Sequence, residues 1–129
     1  MIKSLFLVSA TLMLMVTPAM ADGNVAAGEI VFQRCIVCHV KLDPEHPERM
    51  GPSLHGIVGR PVASVEGYAY SDAMKAFGAT GAKWDEATLD QFLKIPIDFV
   101  KGTKMTVPGA RRDTERADLI AYLKSQPAL

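Results

Sequence analysis

The chain has 129 residues, enough for one domain with a thin core, and 14 basic side chains stand against 14 acidic ones. A formally neutral chain with no repeat and no low-complexity stretch lacks the basic face that nucleic acid requires, which excludes that class of partner. Two cysteines and three histidines, without a second C-x-x-C pair, are too few for a structural zinc site.

The N-terminus reads as a leader rather than as part of the fold. Lys3 is followed by an apolar run from Leu5 to Val16, then Pro18 and Ala19-Met20-Ala21, which has the small-x-small form of a signal-peptidase site. Those twelve residues fall short of the roughly 20 that span a bilayer, so cleavage after Ala21 is expected over retention as an anchor. Residues 1–21 are then a secretory signal and 22–129 a single domain. Loss of Lys3 leaves that domain one positive charge short of neutrality. Export to the bacterial periplasm follows.

Asp22 or Asn24 caps a first helix reaching about Cys35, with Val25, Gly28, Val31 and Phe32 in an apolar stripe at helical spacing. Gly28 costs that helix about 1 kcal/mol relative to alanine, which implies another helix crossing close to it. Immediately after comes Cys35-Ile36-Val37-Cys38-His39. Two thiols one helical turn apart can add across the two vinyl groups of a haem, and the next residue offers an imidazole to the iron. Thioether formation of this kind takes place outside the cytoplasm in bacteria, in keeping with export. A thioredoxin-like dithiol would expect strands around the pair, and a disulfide across so short a separation is awkward and leaves His39 without a role.

From Val40 to Met50 two prolines and several charges predict an exposed loop, with His46 as a solvated side chain. Gly51-Pro52-Ser53-Leu54-His55-Gly56 forces turns, and Pro52 offers a carbonyl that could accept the second ring nitrogen of His39, a pairing that position alone does not show. The stretch from Arg60 to Tyr70 reads as a loop. A short helix spans Ser71 to about Phe77, a glycine turn leads to Trp84, and Asp85 caps a third helix with Leu89, Phe92 and Leu93 on one face, ended by Pro96. Lys101 to Met105 is an irregular loop closed by Pro108-Gly109. A last helix starts at Asp113, buries Leu119, Ile120, Tyr122 and Leu123, and stops at Gln126-Pro127. Everything regular is helical, as suits a small all-α protein wrapped round a cofactor.

The second face of the iron decides between electron transfer and chemistry on a bound ligand. Of seven methionines, Met1, Met13, Met15 and Met20 leave with the leader. Met50, Met74 and Met105 remain. Met74 lies on an apolar helix face, where core packing is the default, whereas Met105 has no helix stripe to join. Met105 is therefore the favoured ligand.

The chain resembles class I cytochromes c over essentially the whole region after the leader. The matching segments are Cys35 to His39, Gly51 to Gly56 with Gly59-Arg60, Tyr68 to Ala73, Trp84, Gly102 to Met105, and Thr114-Glu115-Arg116 with Asp118 to Leu123. That resemblance implies one haem c attached through Cys35 and Cys38, with His39 and Met105 on the iron and Pro52 orienting His39. It places Arg60, Tyr70, Ser71, Trp84 and Thr103 around the propionates, and packs Gly28 and Phe32 against the last helix near Leu119 and Tyr122. The chain departs from the family where Met74 and Phe92 replace a frequent asparagine and tyrosine, and where Ile97 and Asp98 replace lysines of a basic ring. What is left of that ring is Arg34, Arg49, Lys104, Arg111 and Arg112.

The expected function is one-electron shuttling in the periplasm, without catalysis, as a monomer that docks transiently. Donors are a cytochrome bc-type membrane complex or a periplasmic dehydrogenase, and the acceptor a terminal oxidase or similar centre. A dedicated partner of one periplasmic enzyme would be physically the same molecule, and a haem peroxidase would need one iron face open.

Overall fold

The computed structural model describes residues 22–39 and 50–128. The expected leader and residues 40–49 of the expected loop, with His46 and Arg49, lie outside the described residues. Among the described residues five helices follow in order: α1 Val25–Phe32, α2 Asp72–Ala79, α3 Glu86–Lys94, α4 Pro96–Phe99 and α5 Asp113–Ser125. Among the described residues the extended pairing is confined to one isolated bridge between Pro61 and Lys83, so the all-α expectation holds.

Side-chain caps fix where α1, α2 and α3 begin. The Asn24 Oδ1 accepts the Ala27 N–H at 2.9 Å, the Ser71 Oγ accepts the Met74 N–H at 3.1 Å, and the Asp85 Oδ1 accepts the Thr88 N–H at 2.8 Å. α3 stops because Ile95 precedes a proline and takes an extended backbone (φ −150°, ψ 92°). The sequence reading ended there, but Pro96 also opens the single turn of α4, where its missing N–H is no loss.

α1 crosses α5 at the distance Gly28 implied. A Cβ on Gly28 would lie 1.9 Å from the Asp118 carbonyl oxygen and 2.7 Å from the Tyr122 Cβ, so only glycine lets the two backbones meet. The Asp118 carboxylate also accepts the Asn24 N–H at 2.7 Å, and the rings of Phe32 and Tyr122 sit 5.1 Å apart. Behind that crossing lies a core of Phe32, Leu89, Phe92, Leu93, Leu119, Ile120, Tyr122 and Leu123. Val25 leaves the expected apolar stripe and is 46% exposed. A ring of four aromatics, Phe77, Trp84, Phe92 and Phe99, joins α2, α3 and α4, with neighbouring centroids 4.9 to 6.4 Å apart.

Candidate functional site

The C-x-x-C-H segment continues α1 as a turn. The Cys38 and His39 N–H groups donate to the Cys35 carbonyl at 3.1 and 2.8 Å, which carries both thiols and the imidazole round one helical turn. Both cysteines are half-buried and unbonded to each other. Burial raises the Cys35 thiol above its ordinary pKa, with Arg34 pulling the other way, so it is held as the thiol.

His39 is fixed from two sides. Its Nδ1 lies 2.8 Å from the Pro52 carbonyl oxygen, which can only accept a hydrogen bond and so assigns the N–H to Nδ1 and a free lone pair to Nε2. Burial lowers the pKa of the ring, outweighing the rise due to Pro52, and the Arg60 charge lowers it further. The neutral, ligating form is therefore favoured. Gly51 forms the cradle: its N–H donates to the Cys38 carbonyl at 3.1 Å, and a Cβ there would come within 2.4 Å of the imidazole.

Among the polar residues expected near propionates, Arg60, Trp84 and Tyr70 interact, and Ser71 adjoins Tyr70. Arg60 and Trp84 are paired through their backbones, with the Trp84 N–H on the Arg60 carbonyl at 2.9 Å and the Gly59 N–H on the Trp84 carbonyl at 2.8 Å. The Arg60 guanidinium donates to the Ser53 and His55 carbonyls at 2.8 and 2.9 Å, which ties it to the turn carrying Pro52. Its charge and the Tyr70 hydroxyl influence each other's titration. Ser71 follows Tyr70 as the cap of α2. Thr103 belongs to a separate loop, but that loop rests on the same segment: a Cβ on Gly102 would meet the Ala73 Cβ at 3.1 Å, and the Lys104 ammonium donates to the Ala69 carbonyl at 2.5 Å.

Three hydroxyls in this group share one arrangement. Tyr70, Ser71 and Thr103 each accept a backbone N–H, from Val65 at 3.1 Å, Met74 at 3.1 Å and Met105 at 3.2 Å. Each keeps its own O–H proton to give away, so they form a donor set suited to buried carboxylates.

The three remaining methionines have different surroundings. Met74 is 7% exposed within the core, and Met50 is 70% exposed beside the cradle of His39. Met105 is half-buried and packs on the core from its own loop. The sequence assigned Gly51 only to a turn, and no contact to Tyr68, whose hydroxyl donates to the Met50 carbonyl at 2.7 Å, or to Glu115. Glu115 accepts from Arg34 at 2.6 Å and Arg112 at 3.5 Å, joining two cations of the expected basic ring. Their positions are visible in the string of residues, but the pairing depends on the α1–α5 crossing.

Adjacent free thiols, a pinned neutral imidazole and a set of spare hydroxyl donors suit a covalently attached haem with its propionates. Fold and donor set together define a class: a small helical protein built round one c-type haem. The "Cytochrome c" family model matches residues 25–127. A cytochrome c2 of Rhodomicrobium vannielii is 44% identical over 84% of this chain and 83% of the relative, and a cytochrome c of Gibberella zeae is 42% identical over 81% and 96%. The solved structure of cytochrome cH from Methylobacterium extorquens aligns with a TM-score of 0.69 at 41% identity, over 81% of this chain and all of the other. The chain belongs to the cytochrome c family and carries one covalent haem c, whose C-x-x-C-H motif Cys35, Cys38 and His39 fit. It is a monohaem electron-transfer protein.

Proposed function

We propose that this protein is a diffusible periplasmic one-electron carrier, exported by a leader removed after Ala21 and ligating its haem through His39 and Met105. When bound, the haem iron supplies a one-electron ferric/ferrous couple, and closure of both axial positions favours outer-sphere transfer over substrate binding. The observation that carries this reading is the His39 imidazole directly after the two thiols, held neutral by burial and oriented by the Pro52 carbonyl at Nδ1, which leaves Nε2 free. Met105 would be the second ligand to the iron, because Met50 is exposed beside the His39 cradle and Met74 is committed to the core. Pro52 orients His39, while Arg60, Tyr70, Ser71, Trp84 and Thr103 hold the propionates by charge and hydrogen bonding and keep water from that edge. The protein catalyses nothing itself and acts as a monomer. Its donor is a cytochrome bc-type complex or a periplasmic dehydrogenase, and its acceptor a terminal oxidase or similar centre.

The test begins with intact mass of the periplasmic protein, which should start at Asp22 and carry one haem that is lost from the double variant Cys35→Ala, Cys38→Ala. The ferric sulfur-to-iron band should disappear in Met105→Ala and persist in Met50→Leu and Met74→Leu. Loss of the band in Met74→Leu with retention in Met105→Ala would overturn the ligand assignment, and a high-spin resting spectrum of the parent would favour an open, enzymatic site.

A further inference from the structure

Among the described residues the most heavily bonded buried charge is Arg116, on α5. It is 3% exposed, and its guanidinium makes four hydrogen bonds. Nε donates to the Asp90 carboxylate of α3 at 2.7 Å and one terminal nitrogen donates to Asp113 at 2.6 Å. The other terminal nitrogen donates to the carbonyls of Ala110 and Arg111 at 3.0 and 2.8 Å. Those two carbonyls belong to the segment that returns from Met105 to α5.

That segment is fixed at both ends. Upstream, the Val100 N–H bonds the Pro96 carbonyl at 3.0 Å, the Thr103 N–H bonds the Val100 carbonyl at 3.0 Å, and Thr103 is buried. Downstream, the Ala110 N–H bonds the Leu93 carbonyl at 2.8 Å. Gly109 (φ +78°) lies so close to α3 that a Cβ would come within 2.4 Å of the Lys94 carbonyl. Between these ends Thr106, Val107 and Pro108 are exposed. Local opening takes place where backbone is least tied, so the downstream ties decide how much chain is free to carry Met105 away. Arg116 supplies two of them.

We infer that Arg116 is a positioning residue for the Met105 ligand, acting through the Ala110 and Arg111 carbonyls to hold the loop closed. This rests on Met105 being the sixth ligand. A guanidinium suits the task because its planar fork reaches two carbonyls and two carboxylates at once, and lysine has neither the planarity nor the reach.

Opening is read by titrating the ferric holoprotein with imidazole, which takes the sixth position only when Met105 leaves, and following the sulfur-to-iron band. Removing charge-assisted hydrogen bonds to the loop should raise the opening equilibrium at least about tenfold, so Arg116→Met should bind imidazole at least about tenfold more tightly. Arg116→Lys should recover part of the difference. Asn24→Ala, which weakens the fold at α1, sets the baseline: it should lower global stability in denaturant and leave imidazole affinity unchanged. The inference is overturned if Arg116→Met tightens imidazole no more than Asn24→Ala does. Should Arg116→Met not fold, Asp90→Asn decides, with tightening of about threefold expected and none overturning the inference. Retention of the band in Met105→Ala removes the ligand reading and this one together. Loss of the band there, with unchanged imidazole affinity in the Arg116 variants, removes this one alone.

Discussion

Adding one methyl group at Gly28 opposes helix propensity to close packing. Propensity alone would make Gly28→Ala stabilising by about 1 kcal/mol. The contact with Asp118 decides otherwise: a Cβ 1.9 Å from a backbone oxygen has no flexible neighbour to displace, so α1 must move off α5. Overpacking of this kind costs about 1–3 kcal/mol, and for a domain of this size each kcal/mol lowers Tm by about 4–8 °C. Thermal unfolding of the holoprotein should show a lower Tm in Gly28→Ala, and a rise would mean that the helices cross less closely. The glycine itself was a legible signal, because its cost inside a helix demanded a neighbour. Gly51 and Gly109 were not legible in that way. Both sit in turns, which already account for a glycine, and their further reasons are the His39 imidazole and a carbonyl at the end of α3.

At the scale of the elements, caps and periodicity located four helices because those signals are local: Asn24, Ser71 and Asp85 each bond an N–H three residues ahead. The turn of α4 escaped because a proline that ends one helix can begin another. Likewise the C-x-x-C-H turn was readable from chain order, whereas the Pro52 contact came only with the family resemblance, and the pairing of Arg60 with Trp84 depends on the bridge between distant loops. The cap of α3 also carries a pH dependence. Hydrogen bonds from Thr88 to Asp85 hold that carboxyl below the usual aspartate value of about 3.9. A depressed folded value means stability that is present above the unfolded pKa and lost as pH falls through the folded one. Asp85→Asn retains an acceptor that does not titrate. Its Tm should therefore lie furthest below that of the parent at neutral pH, and the gap should close below about pH 4. A gap constant from pH 6 to 2.5 would count against the charged cap.

Over the whole molecule, docking is shaped by charges that the fold has partly spent on itself. Arg34 and Arg112, 61% and 80% exposed at the side chain, share the half-buried carboxylate of Glu115, and Lys104 is turned onto the Ala69 carbonyl. Ile97 stands exposed where the basic ring would have continued, and Ile36, Val37, Met50 and Val107 add exposed apolar surface. The docking face expected from the sequence is therefore predicted to be weakly positive, in a transient interface of under about 1,200 Å². Association should slow as salt shortens the Debye length from about 30 Å at 0.01 M to about 10 Å at 0.1 M, though mildly for a chain with no net charge to add. Glu115→Gln separates local from overall charge. It frees two cations on one face, so its association rate with an acidic redox partner should exceed the parent's at low salt, fall more steeply with salt, and converge on the parent's rate at high salt. Stopped-flow rates with a cytochrome bc-type complex or an oxidase measure all three features. A parent rate independent of salt, or a Glu115→Gln variant slower than the parent at 0.01 M, would move the docking surface away from Arg34 and Arg112 and leave the apolar residues to define it.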